Sequence, residues 1–252
     1  MDYERLMQAI LDVGEEMLVH GAEVNRVQDA VIRMCESYGY TRVNVFCITT
    51  NLQLTAEAPD GKIITQIRTI TRNNINFDKL DYLNDLSRRI CKGLPEPQEI
   101  QERLEKVLQR GEPPRWMILL GGVMVSGGFT AFFGGNWKDT LAGIVLGMII
   151  VLFQEDIKKR ENNPLVINFI ASLAAGLLAI LLVRLGIGSH VEMVMIAGIM
   201  LLIPGVAMTN AIKDMLLGDL ATGLLRLTDS LINAFAIVVG FTLSMFLTGG
   251  VL

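Results

Sequence analysis

The second half of this 252-residue chain is dominated by five apolar stretches, and they leave little freedom in what it can fold into. They lie near 116–133, 137–153, 165–183, 191–206 and 229–252. A helix needs roughly 20 apolar residues to cross a bilayer, and inside lipid each backbone N–H and C=O must be satisfied within its own segment. The stretches therefore predict an all-α polytopic membrane bundle of about five transmembrane helices over 115–252. The second is short, yet with Trp137 at its edge it can reach across if little tilted. Glycines recur in the first two: Gly121, Gly122, Gly127 and Gly128, then Gly143 and Gly147. Small residues let membrane helices approach closely, so they read as packing positions, with gating hinges as the alternative.

Charge divides the chain at the same place. Before Arg115 there are 14 Lys+Arg against 18 Asp+Glu; from Arg115 onward there are 8 of each, so the whole net charge of -4 sits in the first part. The acidic first part carries no basic stripe, which argues against nucleic acid as a partner. Met1–Val19 holds six charged residues and so lacks the uninterrupted apolar core of a signal peptide. Cys35, Cys47 and Cys91 form no CxxC or Cys/His cluster and read as reduced thiols. No metal site, catalytic set or cofactor is expected.

Residues 1–114 read as a small α+β domain. Leu6, Ala9, Ile10, Val13 and Met17 recur at helical steps over 2–19, and Val24, Val27, Val31 and Met34 repeat on one face of a second helix from about Ala22 to Tyr38. Strands follow at Thr41–Thr50, about Gln53–Ala58 and Lys62–Thr71, the last two joined by the turn Pro59-Asp60-Gly61. Helices over Phe77–Cys91 and Glu99–Arg110 complete it, and Gly111-Glu112-Pro113-Pro114 forms a hinge. Its densest polar cluster is His20–Val27. Glu23 and Arg26 share a helix face and can pair. Glu23 either sits against the helix dipole in the first turn or lines a pocket with Arg26 and His20.

Basic residues flank the apolar stretches unevenly. Arg103, Lys106, Arg110 and Arg115 precede the first, Lys158, Lys159 and Arg160 follow the second, and Lys213 and Arg226 follow the fourth. By the positive-inside rule the N-terminal domain is expected in the cytoplasm and the C-terminus outside, in the plasma membrane.

Between the fourth and fifth stretches lie Pro204-Gly205, Asn210, Lys213, Asp214, Gly218-Asp219, Arg226 and Asp229. Charges at membrane depth usually line a solute or ion path or pair with one another. With about 100° per residue, Asp219, Thr222, Arg226, Asp229, Asn233 and Gly240 fall within an arc of about 80°. Asn210, Lys213 and Asp214 share another face. Two short helices with facing polar stripes, joined at Gly218-Asp219, would enclose a hydrated cavity. The alternative is an interfacial helix over 207–226 whose charges touch water and headgroups. Asn168 and Ser172 add either a polar wall or a helix–helix hydrogen bond.

Two runs also resemble a known family. Gly21-Ala22-Glu23-x-x-Arg26-Val27 with Leu83-Asn84-Asp85-Leu86-Ser87-Arg88-Arg89, and Pro204-Gly205, Asn210-Ala211-x-x-Asp214, Gly218-Asp219, Gly223 and Arg226, resemble the threonine/serine exporter family from about Leu6 to Gly240. The resemblance implies a cytoplasmic domain fused to a five-span bundle, export of small organic solutes, and roles for Glu23, Arg26, Asn210, Asp214, Asp219 and Arg226. His20 and Gln28 depart from the family pattern. The chain resembles the split form, in which a second small multi-span membrane protein supplies the other half of an oligomer. Split pairs are associated with succinate and single chains with threonine and serine. Arg226 is then the expected contact for a substrate carboxylate, Asp214 and Asp219 bind an ammonium or carry a coupling proton, and Lys213 is the second cation a dicarboxylate would need. The rival classes are a membrane-anchored hydrolase-like enzyme and a ligand-sensing scaffold.

Overall fold

A computed structural model describes residues 2–249 apart from Asn73 and Asn162, and it separates into two compact units. The first takes Met1–Gly111 together with Asn210–Arg226; the second takes Glu112–Thr209 with Leu227–Leu252.

The first unit is built around α1 (Tyr3–Val19), which is capped by the Asp2 carboxylate on the N–H groups of Glu4 and Arg5. Such a cap satisfies donors that a helix start leaves without partners. The expected apolar stripe is only part of what α1 buries. Leu6, Met7, Leu11, Val13, Leu18 and Val19 are all buried, making it the central helix rather than a surface one. Gly14 permits its close approach: a Cβ there would lie 2.9 Å from Leu52 Cδ2 and from Val31 Cγ2. Around it lie α2 (Val24–Ser37), α3 (Phe77–Gly93) and α4 (Pro97–Leu108). The last begins two residues earlier than periodicity predicts, because proline suits the first helical position.

Three antiparallel strands in sequence order cover the other side: β1 (Thr41–Ile48), β2 (Asn51–Glu57) and β3 (Ile63–Thr69). Leu52, Leu54 and Ala56 alternate into the core, while on the opposite face the Thr55 and Thr65 hydroxyls pair at 2.9 Å. Gly61, at φ +85°, makes the predicted Pro59-Asp60-Gly61 turn possible.

The second unit holds α5 (Arg115–Phe132), α6 (Trp137–Ile157), α7 (Pro164–Arg184) and α8 (Val191–Leu202). Two further helices, α9 (Gly205–Leu216) and α10 (Leu220–Leu247), contribute residues to both units. Small residues bring α5 and α6 together. Gly147 faces Ser126 so closely that an added Cβ would overlap its hydroxyl, and Gly122 meets Val151 in the same way. Gly121 and Gly128, expected in that contact, face open space instead. Further along, Asn168 donates to Asn233 at 2.9 Å, Ser172 lies against Gly240, and Gly176 lies against Ser244. These pairs rise together in sequence, so α7 and α10 run parallel.

Among the described residues, α5, α6, α7 and α10 are long and apolar enough to cross a membrane. A fifth span exists if α8 and α9 count as one broken helix, bent by 53°. The stretch expected at 191–206 is therefore interrupted. Ile203 adopts extended backbone before Pro204, as a residue preceding proline prefers. The span expected at 229–252 is also longer than predicted at its start, because α10 already begins at Leu220. Gly250–Leu252, at the end of that expectation, lie outside the described residues.

Candidate functional site

The charges of the 210–226 segment are ordered by a helical hairpin. Gly218 ends α9 in the left-handed region at φ +95°, and the Asp219 N–H reaches back to the Asp214 carbonyl at 3.0 Å. This is how a glycine C-cap satisfies the last carbonyls of a helix. Asp219 then starts α10, its carboxylate accepting from the Thr222 N–H at 3.3 Å. Gly223 lets the two helices touch: a Cβ there would overlap Met215 Cγ and meet the Ala211 carbonyl at 2.7 Å. Nothing larger than glycine fits without moving backbone.

That close crossing sets Arg226 on α10 against Asp214 on α9. Arg226 Nη1 donates to Asp214 Oδ2 at 3.0 Å, with the aspartate side chain wholly buried and the arginine 16% exposed. Arg226 Nη2 donates to the Ala22 carbonyl at 3.1 Å. Beside it, Lys213 Nζ donates to Glu23 Oε1 at 2.8 Å. The hairpin and the Gly21-Ala22-Glu23 turn, read separately in the sequence, are thus one assembly within the first unit. Glu23 is the N-cap residue of α2 by backbone, but its side chain caps nothing. It is held instead between Lys213 and Arg26, whose Nε lies 3.7 Å away. Arg226 and Asp219 also lie near enough to β1 to act on Cys47, whose thiol is pushed up to about 12, mainly by burial.

The hairpin is inverted relative to a water-soluble one. Asp214, Thr222 and Gly223 are buried, whereas Ile212, Leu216, Leu217, Leu220, Leu224 and Leu225 are exposed. Asp214 thus turns inward, where an interfacial helix would leave it in water, while Lys213 stays exposed. Asp214 Oδ1 and Thr222 Oγ1 are buried with no hydrogen-bond partner among the described residues. An unsatisfied buried acceptor costs roughly 1–3 kcal/mol, and in a native structure such an atom calls for an explanation such as a proton or a ligand.

The remaining predicted residues are placed less centrally. Asn210 is half-buried on α9, and Asp229 is exposed on α10; among the described residues neither joins an ion pair. The predicted polar stripe of α10 divides along its length: Thr222 and Arg226 serve the hairpin, while Asn233 and Gly240 serve the contact with α7. His20 caps α1, its Nδ1 lying 2.8 Å from the Glu16 carbonyl and 3.6 Å from the buried Glu16 carboxylate. Arg72 closes that carboxylate from the other side at 2.7 Å. Sequence reasoning missed the Ala22 carbonyl, since no side-chain pattern marks a backbone acceptor.

Comparison with known proteins gives this arrangement a context. The family model of ThrE, the threonine/serine exporters, matches residues 8–248, which include both halves of the assembly. The chain belongs to the threonine/serine exporter family. A probable threonine/serine exporter of Mycobacterium tuberculosis is 24% identical over 96% of this chain and 46% of its own length. The threonine/serine exporter of Corynebacterium glutamicum is 23% identical over 95% of this chain and 50% of its own length. Klebsiella aerogenes has a probable succinate transporter subunit, YjjP, that is 23% identical over 92% of this chain and 90% of its own length. The chain thus spans about half of the two exporters and nearly all of the transporter subunit. No solved structure matches it. Family and apolar helices together make it a multi-pass membrane protein of an exporter family.

Proposed function

We propose that this chain is a subunit of a secondary exporter of small carboxylate-bearing metabolites, of the threonine and serine type, working with a second small multi-span membrane protein. The observation that carries this reading is the buried Asp214–Arg226 pair, with one aspartate oxygen unpartnered, inside a hairpin whose outer surface is apolar. A guanidinium presents a planar fork that matches a carboxylate, so a substrate carboxylate can take the place that Asp214 holds on Arg226. Asp214, released, is then free to bind an ammonium group or a coupling proton. Asp219 and Asn210 border the same hairpin, and Asp229 follows one turn further along α10.

The basic clusters before α5 and after α6 support a cytoplasmic placement of the N-terminal domain. A relative that bears the name of a transporter subunit supports the need for a partner. Succinate is the second reading. The hairpin carries two cations, Arg226 and Lys213, and a dicarboxylate could draw Lys213 away from Glu23.

The test is counterflow in liposomes holding this chain, with and without a co-expressed small multi-span protein, using labelled threonine, serine and succinate. Accumulation of threonine and serine only with both proteins is the expected result. Accumulation of succinate alone selects the second reading. No accumulation of any of the three, with both proteins inserted, contradicts the proposal.

A further inference from the structure

A second charged site lies on the first unit and shares Arg26 with the Glu23 ion pair. Helices α2 and α3 border an open surface pocket of about 270 Å³ lined by Arg26, Asp29 and Arg33 from one side and Asn84, Ser87 and Arg88 from the other. Three guanidinium groups thus face one carboxylate. Asp29 offsets little of that charge, since its oxygen lies 3.9 Å from Arg33 and both side chains are mostly exposed. Arg88 joins no ion pair among the described residues, while its neighbour Arg89 turns away to Asp85 at 2.7 Å. Helical spacing explains the convergence. Arg26, Asp29 and Arg33 stand three and four apart on α2, and Asn84, Ser87 and Arg88 are spaced three and four apart on α3.

Three cations lining one pocket repel one another, and an anion shared among them relieves that repulsion. The wall is also polar where an oxyanion would sit. Asn84 uses one amide hydrogen on the Leu80 carbonyl and keeps the other, whereas the buried Ser87 hydroxyl spends its hydrogen on the Asn84 carbonyl at 2.8 Å. A volume of about 270 Å³ falls just below the range typical of drug-sized ligands, about 300–1,000 Å³, so the occupant is small. Arginine forks recognise phosphate and carboxylate oxygens in pairs.

We infer that this pocket binds a small free dianion, a phosphate or a dicarboxylate, at a site separate from Arg226. Arg26 belongs both to its wall and to the Glu23 ion pair, so a bound dianion competes with Glu23 for Arg26. The inference does not depend on the export reading.

The experiment is isothermal titration calorimetry of the full chain in an uncharged detergent and phosphate-free buffer, with inorganic phosphate, succinate and threonine as separate titrants. At least one dianion should bind, threonine should not, and Arg33→Gln and Arg88→Gln should each weaken binding about tenfold. Both arginines are exposed and make no buried contact, so folding should survive, which the unfolding temperature of each variant checks. Raised salt should weaken binding as well. Absence of binding by both dianions overturns the inference. So does threonine binding as tightly as the dianion that binds, or dianion binding that persists in the doubly substituted protein. Dianion binding abolished by Arg226→Gln but unchanged by Arg33→Gln and Arg88→Gln would also overturn it, by placing the anion on the hairpin.

Discussion

Two ion pairs of similar length hold the hairpin, and they should differ sharply in worth. Asp214 is wholly buried against Arg226, whereas Lys213 is about half exposed against Glu23. Removing one partner of a buried pair strands the other charge, so Asp214→Asn should destabilise the protein by about 3 kcal/mol. Glu23→Gln should cost less than about 1 kcal/mol, because water screens that pair. Chemical unfolding in detergent measures both; equal losses would mean that Asp214 is not buried as described. A third residue answers to pH. His190 N-caps α8, with its ring nitrogen 2.8 Å from Asp139, and that contact raises its pKa above the ordinary histidine value, with Glu192 adding to the effect. A raised folded-state value means that protonation favours the folded form. The stabilisation is complete below the unfolded value of about 6.5 and is lost as pH rises through the higher folded value. The unfolding temperature should therefore fall across that window, and His190→Asn should flatten the profile. An unchanged profile in the variant would show that the pair contributes nothing.

At the level of helices, two glycines decide close contacts that no other residue permits. Gly223→Ala would place a Cβ against the Ala211 carbonyl and the Met215 backbone, so it should open the α9–α10 hairpin. Overpacking of this kind costs typically about 1–3 kcal/mol. Gly147→Val should part α5 from α6 in the same way, while Gly121→Ala, facing open space, should be neutral or slightly stabilising. Thermal unfolding of the three variants side by side tests the assignment, and a loss at Gly121 as large as at Gly147 would refute it. Sequence periodicity marks which segments are helical and that glycines pack them. It does not show which face of α5 each glycine takes, since Gly121 and Gly122 are adjacent and only the partner helix distinguishes them. The break at Pro204 is legible from proline chemistry. The helix that starts at Asp219 is legible in its aligned polar stripe, but the division of that stripe between the hairpin and α7 is not, because it depends on what Arg226 and Asn233 meet.

Across the whole molecule, the fold joins elements that lie far apart in the sequence. Glu23 and Lys213 are 190 positions apart, and no local pattern encodes their meeting. Each motif is legible alone; their assembly is not, because it depends on a tertiary contact. The three-arginine pocket is hidden for a similar reason, its two walls lying on different helices. Arg226 therefore works as part of the first unit and not as an isolated charge, a role open to direct measurement. Counterflow by Arg226→Lys in liposomes, with the proposed small multi-span partner co-expressed, is the closest test. Lysine keeps the charge but cannot bond Asp214 and the Ala22 carbonyl with one planar fork. The account predicts normal insertion with exchange reduced about tenfold or more, as loss of a charged hydrogen bond of about 1.5–3 kcal/mol implies. Exchange at the wild-type rate would contradict it.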